Sequence, residues 1–276
     1  MPNTATVVGS VVSLGRFPVK SMLGEELNAV WLTPVGLLGD RAFALLAESD
    51  GKVVSAKNPR RWPTLFSFRA AYVTPPESNG PLPPVRITFP DGMIVSSAQS
   101  DVHARLSDVL GQPVRLTQAP PDQPQLEEYW PDLDDLAHRD TVTVEAIPSG
   151  SFFDGAPLHL LTTATLDALR GAYPAGRFEV RRFRPNLVLR PQTEAPGFVE
   201  NTWVNRVLAV GETARIRVVR PCPRCVMTTL AQADLPADAG VLRTAAKQNQ
   251  SHVGVYADVL QAGLIRRGDA VRLIDA

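Results

Sequence analysis

The chain has few cysteines and no excess of charge of either sign. Only Cys222 and Cys225 occur among its 276 residues, whereas a secreted, disulfide-stabilised scaffold carries cysteines along its whole length. Lys and Arg total 28, as do Asp and Glu, so the formal net charge is zero. Because a neutral chain has no global field to attract nucleic acid or an anionic membrane, we expect neither as a partner. An anionic ligand would have to be held by a local group of cations.

Long apolar runs are also absent from the sequence. The longest fall well short of the roughly 20 residues that cross a bilayer. The amino terminus, MPNTATVVGSVV, lacks the basic segment, apolar segment and cleavage site of a secretory leader. No GxGxxG or GxxxxGK[ST] pattern occurs, so the signatures of dinucleotide-binding and P-loop proteins are missing. We therefore expect a cytoplasmic protein.

Proline and glycine, 25 and 19 residues, are dispersed along the chain and separate short β-branched or apolar runs. This pattern predicts a mainly-β protein with barrel architecture and a few peripheral helices. Helices are predicted at 102–110, with Asp101 as N-cap, and at 164–173, capped by Thr163. An acidic segment poor in strand formers separates the two halves. We interpret residues 119–140 as a linker between an N-terminal domain, residues 1–118, and a second domain, residues 141–276.

The strongest candidate for chemistry is PCPRCVMTT at 221–229. A Cys-x-x-Cys pair can be half of a zinc site, a thioredoxin-like redox pair or a ligand for a softer metal. The four histidines show no partnered spacing for zinc, and no parallel α/β pattern surrounds the pair as thioredoxin requires. Both cysteines can also be small buried hydrophobes. Arg220 and Arg224 favour a reactive or metal-binding thiolate instead, because guanidinium groups lower a thiol pKa.

A second group of candidates is cationic. Ten Arg and four Glu lie between residues 176 and 224. For Arg177, Arg181 and Arg182, a solvated face is an equally good interpretation. Arg184-Pro185-Asn186 is more specific, because a guanidinium binds phosphate bidentately and an amide can both donate to and accept from a heterocycle.

Two further motifs are weaker. Lys20 and Ser21, in FPVKSM, could present an ammonium and a hydroxyl to a phosphate, and Arg41 could join them, although Gly39-Asp40 is also ordinary hairpin chemistry. Thr162 and Thr163 precede a predicted helix. They could belong to an anion site at its free N–H groups, or they could only cap it.

Together the motifs resemble the MOSC family, the molybdenum cofactor sulfurase C-terminal domain, preceded by its N-terminal β-barrel domain. Within that family the likeness is to the mitochondrial amidoxime-reducing component and its bacterial relatives. The matching motifs follow the family order and span residues 5 to 274: FPVKS, GLLGDR, PLHLLT, RFRPN, CPRCVMTT and a final GVYADVLQAGLIRRGDAVRL. Each motif is weak alone, but the ordered set is specific.

The resemblance implies a molybdenum cofactor (Mo-molybdopterin) between the two domains and oxygen-atom removal from a small N-hydroxylated or N-oxide substrate. It makes Cys225 the metal ligand and the catalytic residue, and leaves Cys222 without a role. The residues implied to bind the cofactor are Lys20, Ser21, Arg41, Thr162, Thr163, Arg184, Asn186, Arg224 and Cys225.

The sequence also departs from the family pattern. Relatives often read TTVDPDTG where this chain reads TTLAQADLPADAG, so Ala231-Gln232 replaces an acidic residue, and Met22 stands where relatives often carry Cys. No four-cysteine cluster exists for an iron–sulfur centre, so a separate ferredoxin- or flavoprotein-like donor is expected to supply electrons. Two alternatives stay open. One is a sulfur carrier with a persulfide on Cys225, and the other is a non-catalytic carrier of the molybdenum cofactor.

Overall fold

The computed structural model describes residues 5–133, 139–192 and 197–274. Strands predominate, which confirms the predicted mainly-β class. The strands are β1 (Thr6–Arg16), β2 (Glu25–Leu27), β3 (Ala29–Thr33), β4 (Gly36–Leu37), β5 (Ala44–Ala47), β6 (Arg69–Tyr72), β7 (Val85–Thr88), β8 (Ile94–Ser96), β9 (Val114–Thr117), β10 (Gln125–Trp130), β11 (Thr141–Ala146), β12 (Leu158–Thr162), β13 (Leu187–Pro191), β14 (Val207–Val210), β15 (Ala214–Pro223), β16 (His252–Gln261), β17 (Gly263–Arg266) and β18 (Ala270–Ile274). The α-helices are α1 (Val102–Leu110), α2 (Thr163–Ala172), α3 (Val180–Phe183) and α4 (Gly240–Asn249). Short 3-10 helices lie at Leu65–Ser67, Val199–Trp203 and Val226–Thr229.

Seven strands close into a barrel in the order β13-β12-β16-β15-β14-β18-β1. Closure depends on β1, which pairs antiparallel with β18 on one side and with β13 on the other. The barrel interior is filled by apolar side chains, among them the fully buried Leu14, Leu160, Leu208, Ile216 and Val255. Such a barrel has a packed core and no free sheet edge along its closed circuit.

A second core lies beside the barrel. It is built by β5 with β9, by β6, β7 and β8, and by α1, and its centre includes the fully buried Phe68, Ile87 and Leu106. Met227, from the C-terminal half, packs in this core, and Cys225 contacts its edge. The cysteine motif therefore lies at the boundary between the two cores.

The chain crosses the predicted division between its halves more than once. Strand β1 belongs to the barrel, and β17 pairs with β3. Periodicity predicts strands but not their partners, so these crossings are invisible in the sequence. The division at residues 118 and 141 stays a prediction.

The acidic segment holds a strand that its composition does not predict. Gln125–Trp130 form β10, which pairs antiparallel with β11 along its full length. Leu126 is fully buried and Glu128 is 6% exposed. Tertiary packing on one face thus overrides the low strand propensity of this segment. Residues 134–138, in the same segment, lie outside the described residues.

Both predicted long helices form, with different caps from those expected. Helix α1 covers the predicted residues and ends at Gly111, whose φ of 69° is left-handed, but the Asp101 side chain caps no backbone N–H. Its carboxylate instead accepts a hydrogen bond from Arg105 Nε at 2.7 Å. Helix α2 begins at Thr163 and is capped by Thr162, so the assignment of Thr163 as the cap is wrong by one residue. None of the described helices is long and apolar enough to cross a membrane.

Candidate functional site

A cavity of about 330 Å³ opens where the barrel, the second core and the β10–β11 hairpin meet. This volume lies at the lower end of the range of small-molecule sites. The residues from the sequence-derived set that line it are Arg41, Arg184, Asn186, Arg224 and Cys225. They come from three separate motifs, so the fold brings together groups that are far apart in the chain.

Cys225 lies two residues after the end of β15, immediately before the 3-10 helix Val226–Thr229. Its carbonyl accepts hydrogen bonds from the Thr228 N–H at 3.2 Å and the Thr228 hydroxyl at 3.0 Å. Arg182, fully buried, donates to the carbonyls of Thr228 at 3.3 Å, Leu230 at 3.1 Å and Pro236 at 2.7 Å. Arg182 thus stabilises the segment that follows Cys225. Because it is fully buried, the interpretation of a solvated face is wrong for this residue.

The two cysteines differ in environment. Cys225 is half-buried; burial, helped by the Glu128 carboxylate, raises its pKa to about 11 despite the nearby Lys57 and Arg224. Cys222 is 0% exposed, and Arg224 Nη1 donates to its sulfur at 2.9 Å. Burial would raise the pKa of Cys222, but His159 and Arg224 lower it to about 6. Arg224 thus lowers the pKa of both thiols, as expected, but at Cys225 burial outweighs its effect.

Asp40 joins two of the motifs. Its buried carboxylate accepts hydrogen bonds from the Phe17 N–H at 2.7 Å and the Asn186 side-chain amide at 2.9 Å, and it pairs with Arg41. Asn186 in turn accepts from the His159 N–H at 3.1 Å. Asp40 therefore has a structural role beyond hairpin chemistry, because it positions both Arg41 and Asn186 at the cavity wall.

Arg184 is held in an uncommon backbone conformation, with φ of 52°. Its guanidinium donates to the Met22 carbonyl at 2.6 Å and lies 4.2 Å from the centre of the Phe17 ring. Arg41 lies over the same ring at 4.9 Å. Burial, together with repulsion from Arg41, lowers the pKa of Arg184 to about 9. Two guanidinium groups brought this close in a cavity wall favour an anionic ligand between them.

Lys20 and Ser21 lie beside the cavity and do not line it. The Lys20 ammonium is 5% exposed and donates to the Phe152 carbonyl at 2.7 Å and the Asp154 carboxylate at 2.6 Å. The Ser21 hydroxyl accepts from the Ala56 N–H at 3.1 Å. Burial would raise the pKa of Asp154, but Lys20 and Lys57 hold it well below its usual range. Asp154 therefore neutralises the ammonium that was expected to meet a phosphate.

Thr162 and Thr163 also lie away from the cavity lining. Thr162 is fully buried; its hydroxyl donates to the Glu200 carboxylate at 2.6 Å and accepts from the Thr165 N–H at 3.2 Å. Thr163 is half-buried in the first turn of α2. Thr162 therefore caps α2, and an anion contact of either threonine stays a prediction.

Several residues of the cavity wall carried no signal in the motifs. Lys57 lines the cavity, and its ammonium donates to the Glu128 carboxylate at 3.0 Å. Burial lowers the pKa of Lys57, but Asp154, Cys225 and Glu128 together raise it above its ordinary value. The polar or aromatic residues of the lining that belong to no motif also include Glu128, Trp130, Glu145, Phe153, Asp154 and Ser251. His159 and Tyr256 line the cavity from PLHLLT and the final motif, and Arg220 precedes the cysteine motif, but the sequence assigned none of these three to cofactor binding. Within the described ranges, no group of three or more His, Cys, Asp or Glu is placed to hold a metal ion.

Comparison with known proteins identifies the family. The model of the MOSC domain matches residues 148–272, and the model of the MOSC N-terminal beta barrel domain matches residues 8–113. The chain is 24% identical over 302 residues to mitochondrial amidoxime reducing component 2 of Rattus norvegicus, covering 97% of this chain and 84% of that one. It is 26% identical over 241 residues to the protein of the same name from Homo sapiens, covering 81% and 67%.

Among solved structures, the YuaD protein from Bacillus subtilis aligns with a TM-score of 0.49 at 9% identity, over 98% of this chain and 97% of that one.

The two family models, MOSC and MOSC N-terminal beta barrel, together span most of the chain, in the order that the motifs predicted. The chain therefore belongs to the MOSC family and carries the family's N-terminal β-barrel domain.

Proposed function

We propose that this protein binds Mo-molybdopterin and reduces small N-hydroxylated or N-oxide substrates with electrons from a separate donor protein. The observation that carries the proposal is the meeting of Cys225 with Arg41, Arg184 and Arg224 in one cavity of a MOSC protein. The relatives are named amidoxime reducing component, which supports reductive chemistry on an N–O bond. A cytoplasmic location, without nucleic acid or membrane as partner, belongs to the same proposal.

The chemistry of the donor set fits this cofactor. A thiolate suits a soft metal–sulfur environment, and guanidinium groups suit a phosphate. Arg224 adds a second sign of fit: its Nε is buried and has no hydrogen-bond partner among the described residues. An orphaned buried donor is costly unless a ligand or water satisfies it. Arg41, Arg184 and Arg224 would hold the anionic part of the cofactor, and the sulfur of Cys225 would bind the metal.

When bound, the cofactor would supply the two-electron chemistry that side chains lack. The chain would contribute charge and protons. Cleaving the N–O bond of a hydroxylated nitrogen consumes two electrons and two protons and releases water. Tyr256 lines the cavity, and burial, with the nearby Cys222, raises its pKa well above the ordinary value. Its hydroxyl therefore stays protonated near neutral pH. It is hydrogen-bonded to the Cys222 sulfur, and it would turn from that sulfur to donate to the substrate oxygen.

The thiol of Cys225 must lose its proton before it can bind a metal. Its raised pKa means that the thiol keeps its proton near neutral pH. The ammonium of Lys57 and the guanidinium of Arg224 oppose that shift. Both cations would thus favour the thiolate once metal binding competes for the sulfur.

The test is reduction of an aromatic amidoxime by protein from cofactor-producing cells, with chemically reduced viologen as the electron source. Wild type is expected to form the amidine, and Cys225→Ser to form none above background. Tyr256→Phe is expected to lower kcat and leave the molybdenum content unchanged. Cyanide-releasable sulfur without reductase activity would instead support the sulfur carrier. Bound cofactor without turnover of any N-oxygenated compound would support the non-catalytic carrier.

A further inference from the structure

Cys222 lies behind the wall of the cavity. Pro223, Arg224 and Cys225 are among the described residues that line the cavity, whereas Cys222 is not. Its side chain is 0% exposed near the end of β15. Cys222 therefore does not contact the space in which a ligand would bind, and the proposed function gives it no task.

The Cys222 sulfur is surrounded by polar side chains. Arg224 Nη1 donates to it at 2.9 Å, and the His159 ring and the Tyr256 hydroxyl are hydrogen-bonded to it. His159 and Tyr256 are opposite each other in β12 and β16, and β16 also pairs with β15. A neutral thiol is only a weak acceptor, so several polar partners suit a negatively charged sulfur better. Burial opposes that charge, but His159 and Arg224 lower the pKa of Cys222 below its ordinary value.

The sulfur is one of two groups that hold the guanidinium of Arg224. Nη1 donates to Cys222, and Nη2 donates to the Phe183 carbonyl at 3.0 Å. The main-chain N–H of Arg224 is fixed separately, by the Ser251 carbonyl at 2.8 Å. Two acceptors fix the plane of a guanidinium, whereas one would let it rotate. Cys222 thus sets how Arg224 is presented at the cavity wall, and it leaves the unpartnered Nε for a ligand.

The same sulfur places the hydroxyl of Tyr256. The tyrosine ring is packed by the Arg220 guanidinium, 4.7 Å from the ring centre, and by His159, whose ring centre is 6.1 Å away. The hydroxyl at the end of this ring is hydrogen-bonded to Cys222. Ring and hydroxyl are thus fixed by different neighbours, so only the O–H bond has to turn when Tyr256 meets another acceptor.

We propose that Cys222 is a positioning residue whose buried sulfur holds the Arg224 guanidinium and the Tyr256 hydroxyl at the cavity wall. The two cysteines of the motif then have separate tasks: Cys225 faces the ligand, and Cys222 orients the groups beside it. Buried partners that fix the residues in contact with a ligand strengthen its binding. That Arg224 meets a phosphate and Tyr256 a substrate oxygen rests on the proposed function.

Binding of inorganic phosphate to the cofactor-free protein tests the hold on Arg224 without turnover. Isothermal titration calorimetry measures the dissociation constant. Arg224→Gln should weaken phosphate binding about fivefold or more, as for loss of one charged hydrogen bond. Cys222→Ala should cause a loss of similar size, because the guanidinium is no longer held in place. Cys222→Ser keeps an acceptor and should weaken binding by less than about twofold.

The double variant Cys222→Ala/Arg224→Gln shows whether the sulfur acts through Arg224. If it does, the double variant binds phosphate no more weakly than Arg224→Gln alone, whereas a packing defect would add to the loss. Val218→Ala, at another fully buried position of β15, controls for packing and should leave phosphate binding unchanged. Cys222→Val removes the acceptor with little change of volume, and it takes the place of Cys222→Ala if that variant does not fold.

Amidoxime reduction by the loaded enzyme tests the hold on Tyr256. Cys222→Ala should lower kcat per bound molybdenum, as Tyr256→Phe does, and leave KM unchanged. An unchanged kcat would overturn the assignment for Tyr256. Phosphate binding by Cys222→Ala equal to that of wild type, additive losses in the double variant, or no phosphate binding by wild type would overturn the assignment for Arg224.

The outcome is separable from that of the proposed function. Reductase activity in a protein whose phosphate binding and kcat do not respond to Cys222→Ala rejects the positioning role and leaves the function standing. Loss of phosphate binding through Arg224 in a protein that reduces no N-oxygenated compound supports the positioning role and rejects the reductase.

Discussion

Asp40 accepts a hydrogen bond of 2.9 Å from the side-chain amide of Asn186, a residue 146 positions further along the chain. The same carboxylate accepts from the Phe17 N–H at 2.7 Å and pairs with Arg41. One buried anion therefore holds together the two motifs that present Arg41 and Arg184 to the cavity. The motifs are fixed relative to each other before any ligand binds.

Asp40→Ala should lower the free energy of unfolding by roughly 2–4 kcal/mol, because it leaves a buried amide and a buried N–H without their acceptor. Chemical denaturation with a single spectroscopic transition measures this loss. Asp258→Asn, at an exposed position of β16, is the matched control and should change the free energy by less than about 0.5 kcal/mol. A loss no larger than that of the control would show that Asp40 does not join the motifs.

Thr162 and Thr163 are adjacent in the chain, but their replacement by alanine is expected to lower the stability by different amounts. Thr162→Ala removes the cap of α2 and the donor to the buried Glu200 carboxylate, so it should destabilise the protein by roughly 2–3 kcal/mol. Thr163→Ala removes a half-buried hydroxyl from the first turn and should cost less than about 0.5 kcal/mol. Thermal unfolding of the two variants side by side distinguishes them. Equal melting temperatures would contradict the capping role.

Cys222 should make the free energy of unfolding depend on pH between about 6 and 9. Its pKa is lowered to about 6 in the folded chain from an ordinary value of 9.0. Between these values the unfolded chain binds the proton and the folded chain does not, so stability rises with pH. The contribution is complete above pH 9 and is lost as the pH falls through 6.

Unfolding free energies of wild type and Cys222→Ser at both ends of this window test the prediction. Their difference should grow with pH, on the order of 1 kcal/mol or more, since one unit of pKa shift corresponds to about 1.4 kcal/mol. Subtracting the two free energies of unfolding cancels the pH dependence of the groups that both proteins share. A difference that is constant with pH would show that the buried sulfur stays protonated.

The two thiols should also react differently with iodoacetamide. Cys225 is half-buried with a pKa of about 11, so its alkylation should be slow at neutral pH and accelerate up to that pH. Cys222 is 0% exposed and should be protected until the chain unfolds. Peptide mass mapping assigns the modified residue, with Cys225→Ser as the control that should take up no label. Labelling of native Cys222 would contradict the structure.

The sequence predicted the positions of strands and helices better than it predicted which strands pair. Alternating apolar residues and turn signals predict the strands, and the ordered motifs predict the family. They cannot show that β1 closes the barrel between β13 and β18, because pairing over long separations leaves no periodic trace. The acidic composition of the segment before β11 hides β10, where packing of Leu126 and Glu128 decides the conformation.

The candidate site was likewise predicted only in part from the sequence. Cys225, Arg41, Arg184, Asn186 and Arg224 were predicted, and the fold places all of them on the cavity wall. The predicted phosphate contact of Lys20 depended on a free ammonium, which the structure pairs with Asp154. Lys57 and Glu145 belong to no motif, so only the folded chain reveals them. The roles of all these residues toward a cofactor or substrate stay predictions.

The central claim is that Cys225 binds molybdenum, and metal content tests it most directly. Wild type and Cys225→Ser are expressed in cofactor-producing cells and analysed by inductively coupled plasma mass spectrometry. The account predicts near-stoichiometric molybdenum in wild type and its loss in Cys225→Ser, with Cys222→Ser retaining the metal. Absence of molybdenum from wild type, or equal content in wild type and Cys225→Ser, would contradict it.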